Sequence, residues 1–133
     1  MMNRPAIPRI LGLFALLLAF SATAAAQEAS GKLKENVAAL QKRGFMSESD
    51  VNYWVENAAK GRQCDGGKVG ELIVACVASK SKKVKTLDEA CDYLESKKIL
   101  GKTAYWKKYA VAGKSCEGAG TSVLIARLER LTR

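Results

Sequence analysis

The chain has 133 residues, no histidine, four cysteines and a formal net charge of +9 from 22 basic and 13 acidic side chains. The missing histidine excludes Ser–His and Cys–His catalytic triads and removes a common zinc ligand. The basic excess suits an anionic partner such as a wall polymer, a lipid headgroup or a nucleic acid.

The first feature in chain order is a leader, MMNRPAIPRILGLFALLLAFSATAAAQEA. Arg4 and Arg9 make its positive end, an apolar run fills positions 10–20, and Ala24-Ala25-Ala26 offers the small residues that a signal peptidase reads. This predicts a secretory signal peptide over residues 1–26 and an exported protein, periplasmic or extracellular. The apolar run is shorter than the roughly 20 residues of a membrane span, and no later segment is apolar enough, so no transmembrane span is expected after cleavage. Residues 27–133 are predicted to form a single helical domain, with 20 basic and 13 acidic residues and a charge of +7. All four cysteines fall in it, and an even count in an exported chain reads as two disulfides. Without histidine or a close cysteine pair, no metal and no cofactor are expected.

Helical periodicity covers most of this domain. Leu33, Val37 and Leu40 stand at i, i+4 and i+7, and this helix should stop near Arg43-Gly44. A second helix over 48–60, capped by Ser47 or Ser49, carries Tyr53-Trp54 and ends at Gly61. A third over 68–79 shows an inner stripe of Val69, Leu72, Ile73 and Cys76. The polar, basic linker SKSKKVK occupies 79–85. Thr86 with Glu89 three residues on is a capping box for a fourth helix with Leu87, Cys91 and Leu94 on one face. A fifth over 102–112 carries Tyr105-Trp106 and ends at Gly113. A sixth over 120–131 shows Leu124, Ile125, Leu128 and Leu131. No segment sustains a period of two, so the fold class is all-α.

The chain also matches itself. At an offset of 52, Tyr53, Trp54, Ala58, Gly61, Cys64, Gly66, Leu72 and Ile73 meet Tyr105, Trp106, Ala110, Gly113, Cys116, Gly118, Leu124 and Ile125. Upstream, with two residues of gap, Leu33, Val37 and Leu40 meet Leu87, Cys91 and Leu94. This predicts two tandem three-helix repeats, about 31–79 and 84–131, sharing one core. A unit of that size buries little apolar surface alone, so the repeats should pack face to face. Tyr53, Trp54, Tyr105 and Trp106 are then core anchors; the alternative is exposed aromatics stacked on sugar rings. Cys64 and Cys116 are equivalent positions, and Cys76 and Cys91 flank the linker at similar height. The favoured bridges are Cys76–Cys91 and Cys64–Cys116, with Cys64–Cys76 and Cys91–Cys116 as the rival pairing.

The pattern Tyr53, Trp54, Asn57, Ala58, Gly61, Gly66, Leu72 and Ile73 resembles tandem helical repeats of bacterial secreted and cell-wall proteins, which often stand beside catalytic modules. The second copy departs from it at Asn57, where Tyr109 stands. In layout alone the chain is similar to S-layer-homology repeats, helix–loop–helix units that hold cell-envelope polymer, although their acidic, proline-containing loop motif is missing here. The resemblance implies an envelope-associated accessory module and carries no catalytic residue across.

Candidate chemistry is sparse. Glu56, Asp65, Glu71, Asp92 and Glu117 are the carboxylates available for glycan hydrolysis, which needs two acids facing across a cleft. Asp65 and Glu117 recur beside Cys and Gly at a helix start, where the helix dipole favours a carboxylate. A Ser–Lys pair within residues 79–83 reads more simply as a solvated charge run. Lys80, Lys82, Lys83 and Lys85 form the densest cationic patch, and Lys97, Lys98, Lys102, Lys107, Lys108 and Lys114 make the second half the more basic. The expected function is non-catalytic binding of an anionic cell-envelope polymer. The alternatives are a secreted effector or inhibitor that docks on a protein, or a small glycan hydrolase. Nucleic acid is not an expected partner for an exported chain without a binding motif.

Overall fold

Leu33, Val37 and Leu40 are wholly buried along one face of the first helix, as their spacing requires. The computed structural model describes residue 29 and residues 31–133; the expected leader over 1–26 lies outside the described residues. Among the described residues the chain forms six helices and one pair of two-residue strands. These are α1 (Leu33–Lys42), α2 (Glu48–Asn57), β1 (Cys64–Asp65), α3 (Gly66–Ala78), α4 (Leu87–Ser96), α5 (Ala104–Tyr109), β2 (Ser115–Cys116) and α6 (Gly118–Leu131). The protein is therefore mostly helical.

Local chemistry sets most boundaries. Ser47, not Ser49, caps α2: its hydroxyl accepts the Asp50 N–H at 3.2 Å while the Asp50 carboxylate accepts the Ser47 N–H at 3.1 Å. Thr86 and Glu89 form the same reciprocal pair at the start of α4. Asp65 caps α3 by accepting the Gly67 N–H at 2.9 Å, which starts that helix two residues earlier than its apolar stripe suggests. α5 runs only from Ala104 to Tyr109, shorter than the predicted 102–112, because Ala110 leaves the helical conformation.

The chain that leaves α5 crosses directly over the start of α3. A Cβ on Gly66 would overlap the carbonyl oxygens of Tyr109 and Val111, and the Gly66 N–H donates to the Lys114 carbonyl at 2.7 Å. The reverse crossing is also present: a Cβ on Gly118, at the start of α6, would overlap the Arg62 backbone. Between the two crossings β1 and β2 pair antiparallel, with Cys64 opposite Cys116. A pairing this short leaves no alternation to read in sequence. One turn further along, a Cβ on Gly70 would overlap the Ala110 carbonyl, whereas at the matching position Ser122 donates its hydroxyl to the Ala58 carbonyl at 3.0 Å.

The two aromatic pairs make matching hydrogen bonds, but Tyr105 is 40% exposed and so is not the core anchor expected of it, because only its hydroxyl end and one ring edge are covered. The Tyr53 hydroxyl accepts the Asp65 N–H at 2.6 Å, and the Tyr105 hydroxyl accepts the Glu117 N–H at 2.8 Å. Each tyrosine meets its neighbouring tryptophan edge-on, with ring centroids 5.1 and 5.0 Å apart. Trp54 and Trp106 are buried, so neither indole face is open to a sugar ring. Around them α3 packs on α4 and α6, and α1 packs on α2 and α6. The end of α6 is tied to α1 by the buried Glu129. Its carboxylate accepts from Arg133 at 3.0 and 3.1 Å and from Arg43 at 3.0 Å.

The expected disulfides are not formed in this structure. Cys64, Cys76, Cys91 and Cys116 are buried free thiols, with no pair at bonding distance. The Cys64 thiol instead points to the Arg62 carbonyl, 3.6 Å away. The rival pairing fails on geometry. Cys76 lies ten residues beyond Gly66 in α3, roughly 15 Å along the axis from the strand that carries Cys64, whereas a bridge needs Cα atoms within about 7 Å.

The glycine crossing and the Glu129 cluster can each be tested by substitution. Gly66→Ala should cost about 3 kcal/mol or more, because rigid backbone on the facing loop must move. Gly101→Ala, whose added Cβ meets nothing within 4 Å, should change stability by less than about 1 kcal/mol. Thermal melts of the two variants separate a close crossing from a generic glycine effect. Arg133 first and Arg43 second hold the Glu129 carboxyl below its usual range. Its stabilisation is thus full above the unfolded value of about 4.3 and lost as pH falls through the lower folded value. Glu129→Gln should cost about 2 kcal/mol at neutral pH and leave a shallower loss of stability on acidification, read from denaturant midpoints across pH 2–7.

Candidate binding surface

Of the sequence-predicted contacts, the linker lysines form one local group. α3 ends at Ala78, where Ser79 donates its hydroxyl to the Cys76 carbonyl at 2.6 Å. The chain then turns so that Val84 enters the core, only 7% exposed. Val84 pins the far end of the linker, and Lys80, Lys82, Lys83 and Lys85 stand exposed around it. Lys80 reaches the Arg133 carbonyl at 3.5 Å, and none of the four pairs with a carboxylate side chain among the described residues. Their charges are therefore open to solvent on a segment fixed by one apolar anchor.

The other lysines divide by partner. Lys107 is paired with Asp92 at 2.7 Å, which raises its pKa and removes it from any cationic patch. Lys108 and Lys114 lie over the Tyr109 ring at 5.3 and 5.8 Å, and Lys97 over the Tyr93 ring at 5.7 Å. Lys68 pairs with Asp50 at 2.8 Å and stands over the Tyr53 ring at 5.0 Å. That contact lowers the Asp50 pKa, chiefly through the Lys68 hydrogen bond.

The five candidate carboxylates take separate roles. Glu56 is exposed and pairs with Lys60 at 3.1 Å. Asp65 caps α3, Asp92 holds Lys107, and Glu117 precedes α6 with its backbone N–H bound to Tyr105. Glu71 stands at the shared lip of two grooves. One, of about 170 Å³, holds the Asp50–Lys68 pair against Trp54 and Met46. The other, of about 550 Å³, is apolar and runs past Gly70, Val74, Leu87, Ala110 and Val111.

Burial pushes the thiols of Cys64, Cys91 and Cys116 up to about 11 and that of Cys76 up to about 12. At neutral pH they carry almost no thiolate, the form that attacks an electrophile or binds a metal. No three Cys, Asp or Glu side chains gather as a metal site among the described residues, and no helix there is long and apolar enough to cross a membrane.

Sequence reasoning passed over a second cationic face. Arg127 and Arg130 lie exposed on α6 and line two adjoining grooves, one with Lys98 and Ile99 and one with Lys32 and Val123. The signal was available as Arg at i and i+3 beside the buried stripe Leu124, Ile125 and Leu128. What joins Lys98 to them is a tertiary contact: Arg127 donates to the Ile99 carbonyl at 2.7 Å. No protein-family model matches the chain, and no curated protein or solved structure is detectably similar to it.

Proposed function

We propose that the chain is an exported binding module of the cell envelope, built from two tandem three-helix copies that share one core, and that it recognises an anionic partner through its basic surface. The observation that carries this reading is the set of exposed lysines, Lys80, Lys82, Lys83 and Lys85, held around the buried Val84 with no side-chain ion pair among the described residues. Charge carried on a backbone that is already ordered attracts a polyanion at a smaller entropic cost than a mobile tail does. The leader over 1–26 and the resemblance to secreted and cell-wall repeats direct the reading to the envelope. A second reading, a protein partner, is favoured by the apolar groove beside Val74, Leu87 and Val111.

In an oxidising compartment the four thiols are proposed to join as Cys64–Cys116 and Cys76–Cys91. The first pair is supported by its direct opposition across β1 and β2, the second by the packing of α3 on α4. Each bridge would contribute about 2–4 kcal/mol. Non-reducing peptide mapping of the protein recovered from the exporting cell should join the Cys64 and Cys116 peptides. Recovery of four free thiols would sink the disulfide proposal.

The functional reading is tested by co-sedimentation of the processed protein with cell-wall sacculi across a salt series. Binding should fall steeply as salt screens the surface charge, and reversal of Lys80, Lys82, Lys83 and Lys85 to Glu should weaken it with the thermal melt unchanged. Absence of pelleting at low salt rejects the polymer partner.

A further inference from the structure

Lys98 is the one non-glycine residue with positive φ among the described residues, at 58°. The matching turn after α1 carries Gly44 at φ 90°, and both turns close with the same bond: Phe45 N–H to the Leu40 carbonyl and Ile99 N–H to the Leu94 carbonyl, each 2.9 Å. The backbone at this turn suits glycine, and a lysine there is strained. Strain of this kind is a pointer to function when the side chain has work elsewhere. Lys98 lines an open groove of about 320 Å³ with Ile99, Arg127, Arg130 and Leu131. Arg127 and Arg130 also line the adjoining groove of about 290 Å³, with Lys32, Val123 and Ala126. Among the described residues neither groove has an acidic lining residue. Glu129, the one acid within α6, is buried and committed to Arg43 and Arg133. Arg127 spends one N–H on the Ile99 carbonyl, which fixes the guanidinium and leaves its other donors for a ligand.

We propose that this face, centred on Lys98, Arg127 and Arg130, docks on an anionic phospholipid surface; the proposal rests on the envelope-binding reading above and names its partner. Two features favour lipid over a wall polymer. The cations are spread across two open grooves rather than gathered round one enclosed cavity, which suits a sheet of phosphates. Ile99, Leu131 and Val123 line the same grooves, each partly exposed, with Ile99 and Leu131 packed on the core behind. Their exposed edges can meet the boundary between headgroups and acyl chains, whereas a hydrophilic polymer offers them nothing. Guanidinium groups match phosphate oxygens in geometry as well as charge.

The test is flotation of the processed protein with phosphatidylcholine vesicles, with and without phosphatidylglycerol, at low and high salt. Wild type should bind only the anionic vesicles and release in high salt. Lys98→Gly and Arg130→Gln should each weaken binding about fivefold, and the triple variant with Arg127→Gln about a hundredfold. Lys98→Gly should raise the melting temperature while it weakens binding, a combination that a purely structural role for Lys98 does not give. Neither Lys98→Gly nor Arg130→Gln removes a side-chain bond of the fold, so both stay informative if the triple variant fails to fold. Anionic-vesicle binding that survives the single variants, or that is lost only on reversal of Lys80–Lys85, overturns the assignment of this face and leaves the envelope reading intact. Pelleting with sacculi but no binding to anionic vesicles overturns the lipid partner alone. Binding to neither overturns both.

Discussion

The close crossing of backbone over glycine at the starts of α3 and α6 is the constraint on which the rest of the structure depends. At Gly66 the loop after α5 lies where a side chain would stand, and at Gly118 the loop after α2 does the same. Each crossing fixes a long helix of one half against a turn of the other. Cys64 then falls opposite Cys116, and the N–H groups of Asp65 and Glu117 meet the hydroxyls of Tyr53 and Tyr105. Those two hydrogen bonds orient the tyrosines, whose edges in turn set the tryptophans inward. Trp54 and Trp106 each bury an area worth up to about 4 kcal/mol, but only because the crossings bring α3 and α6 close enough to cover them.

The features legible in the sequence are those that depend on near neighbours. The stripes of α1, α4 and α6 and the Thr86–Glu89 capping box are set by residues three or four apart, and periodicity finds them. The shortness of α5 was not legible, because the chain leaves the helix at Ala110 to pass over Gly66 and Gly70, on a helix that lies far earlier in the chain. The β1–β2 pair is invisible for a related reason: two residues have no period, and their partners are chosen by the crossings. Of the candidate contacts, the linker lysines could be read as a charge run, but the inward turn of Val84 could not. The Arg127–Arg130 face was in plain view as two arginines, yet its tie to Lys98 is a hydrogen bond across 28 residues.

The acidic residues explain why a moderate net charge produces a cationic exterior. Glu129, Asp50, Asp92 and Glu56 all sit in ion pairs with Arg or Lys, and Glu89 and Asp65 are turned to backbone N–H groups at helix starts. Local pairs and caps thus absorb much of the negative charge. The basic excess is left on the linker, on the α4–α5 turn and on the outer face of α6. Apart from those of the buried Glu129, these pairs are exposed and add little stability, so their larger effect is on the field that a partner meets.

Lys98 shows how scaffold and surface are coupled. A lysine in the left-handed region persists only where its surroundings over-determine the backbone. Here the Ile99 N–H is held by the Leu94 carbonyl from below and the Ile99 carbonyl by Arg127 from the side. The turn therefore cannot relax without breaking a bond to α4 or to α6. The same arginine that secures the strained turn lines the groove beside it, so the position of Lys98 and the position of its cationic neighbours are set together. A mobile turn would leave the origin of the Lys98 side chain undefined; this one fixes its backbone and the Arg127 guanidinium beside it, which lowers the cost of ordering them on a partner.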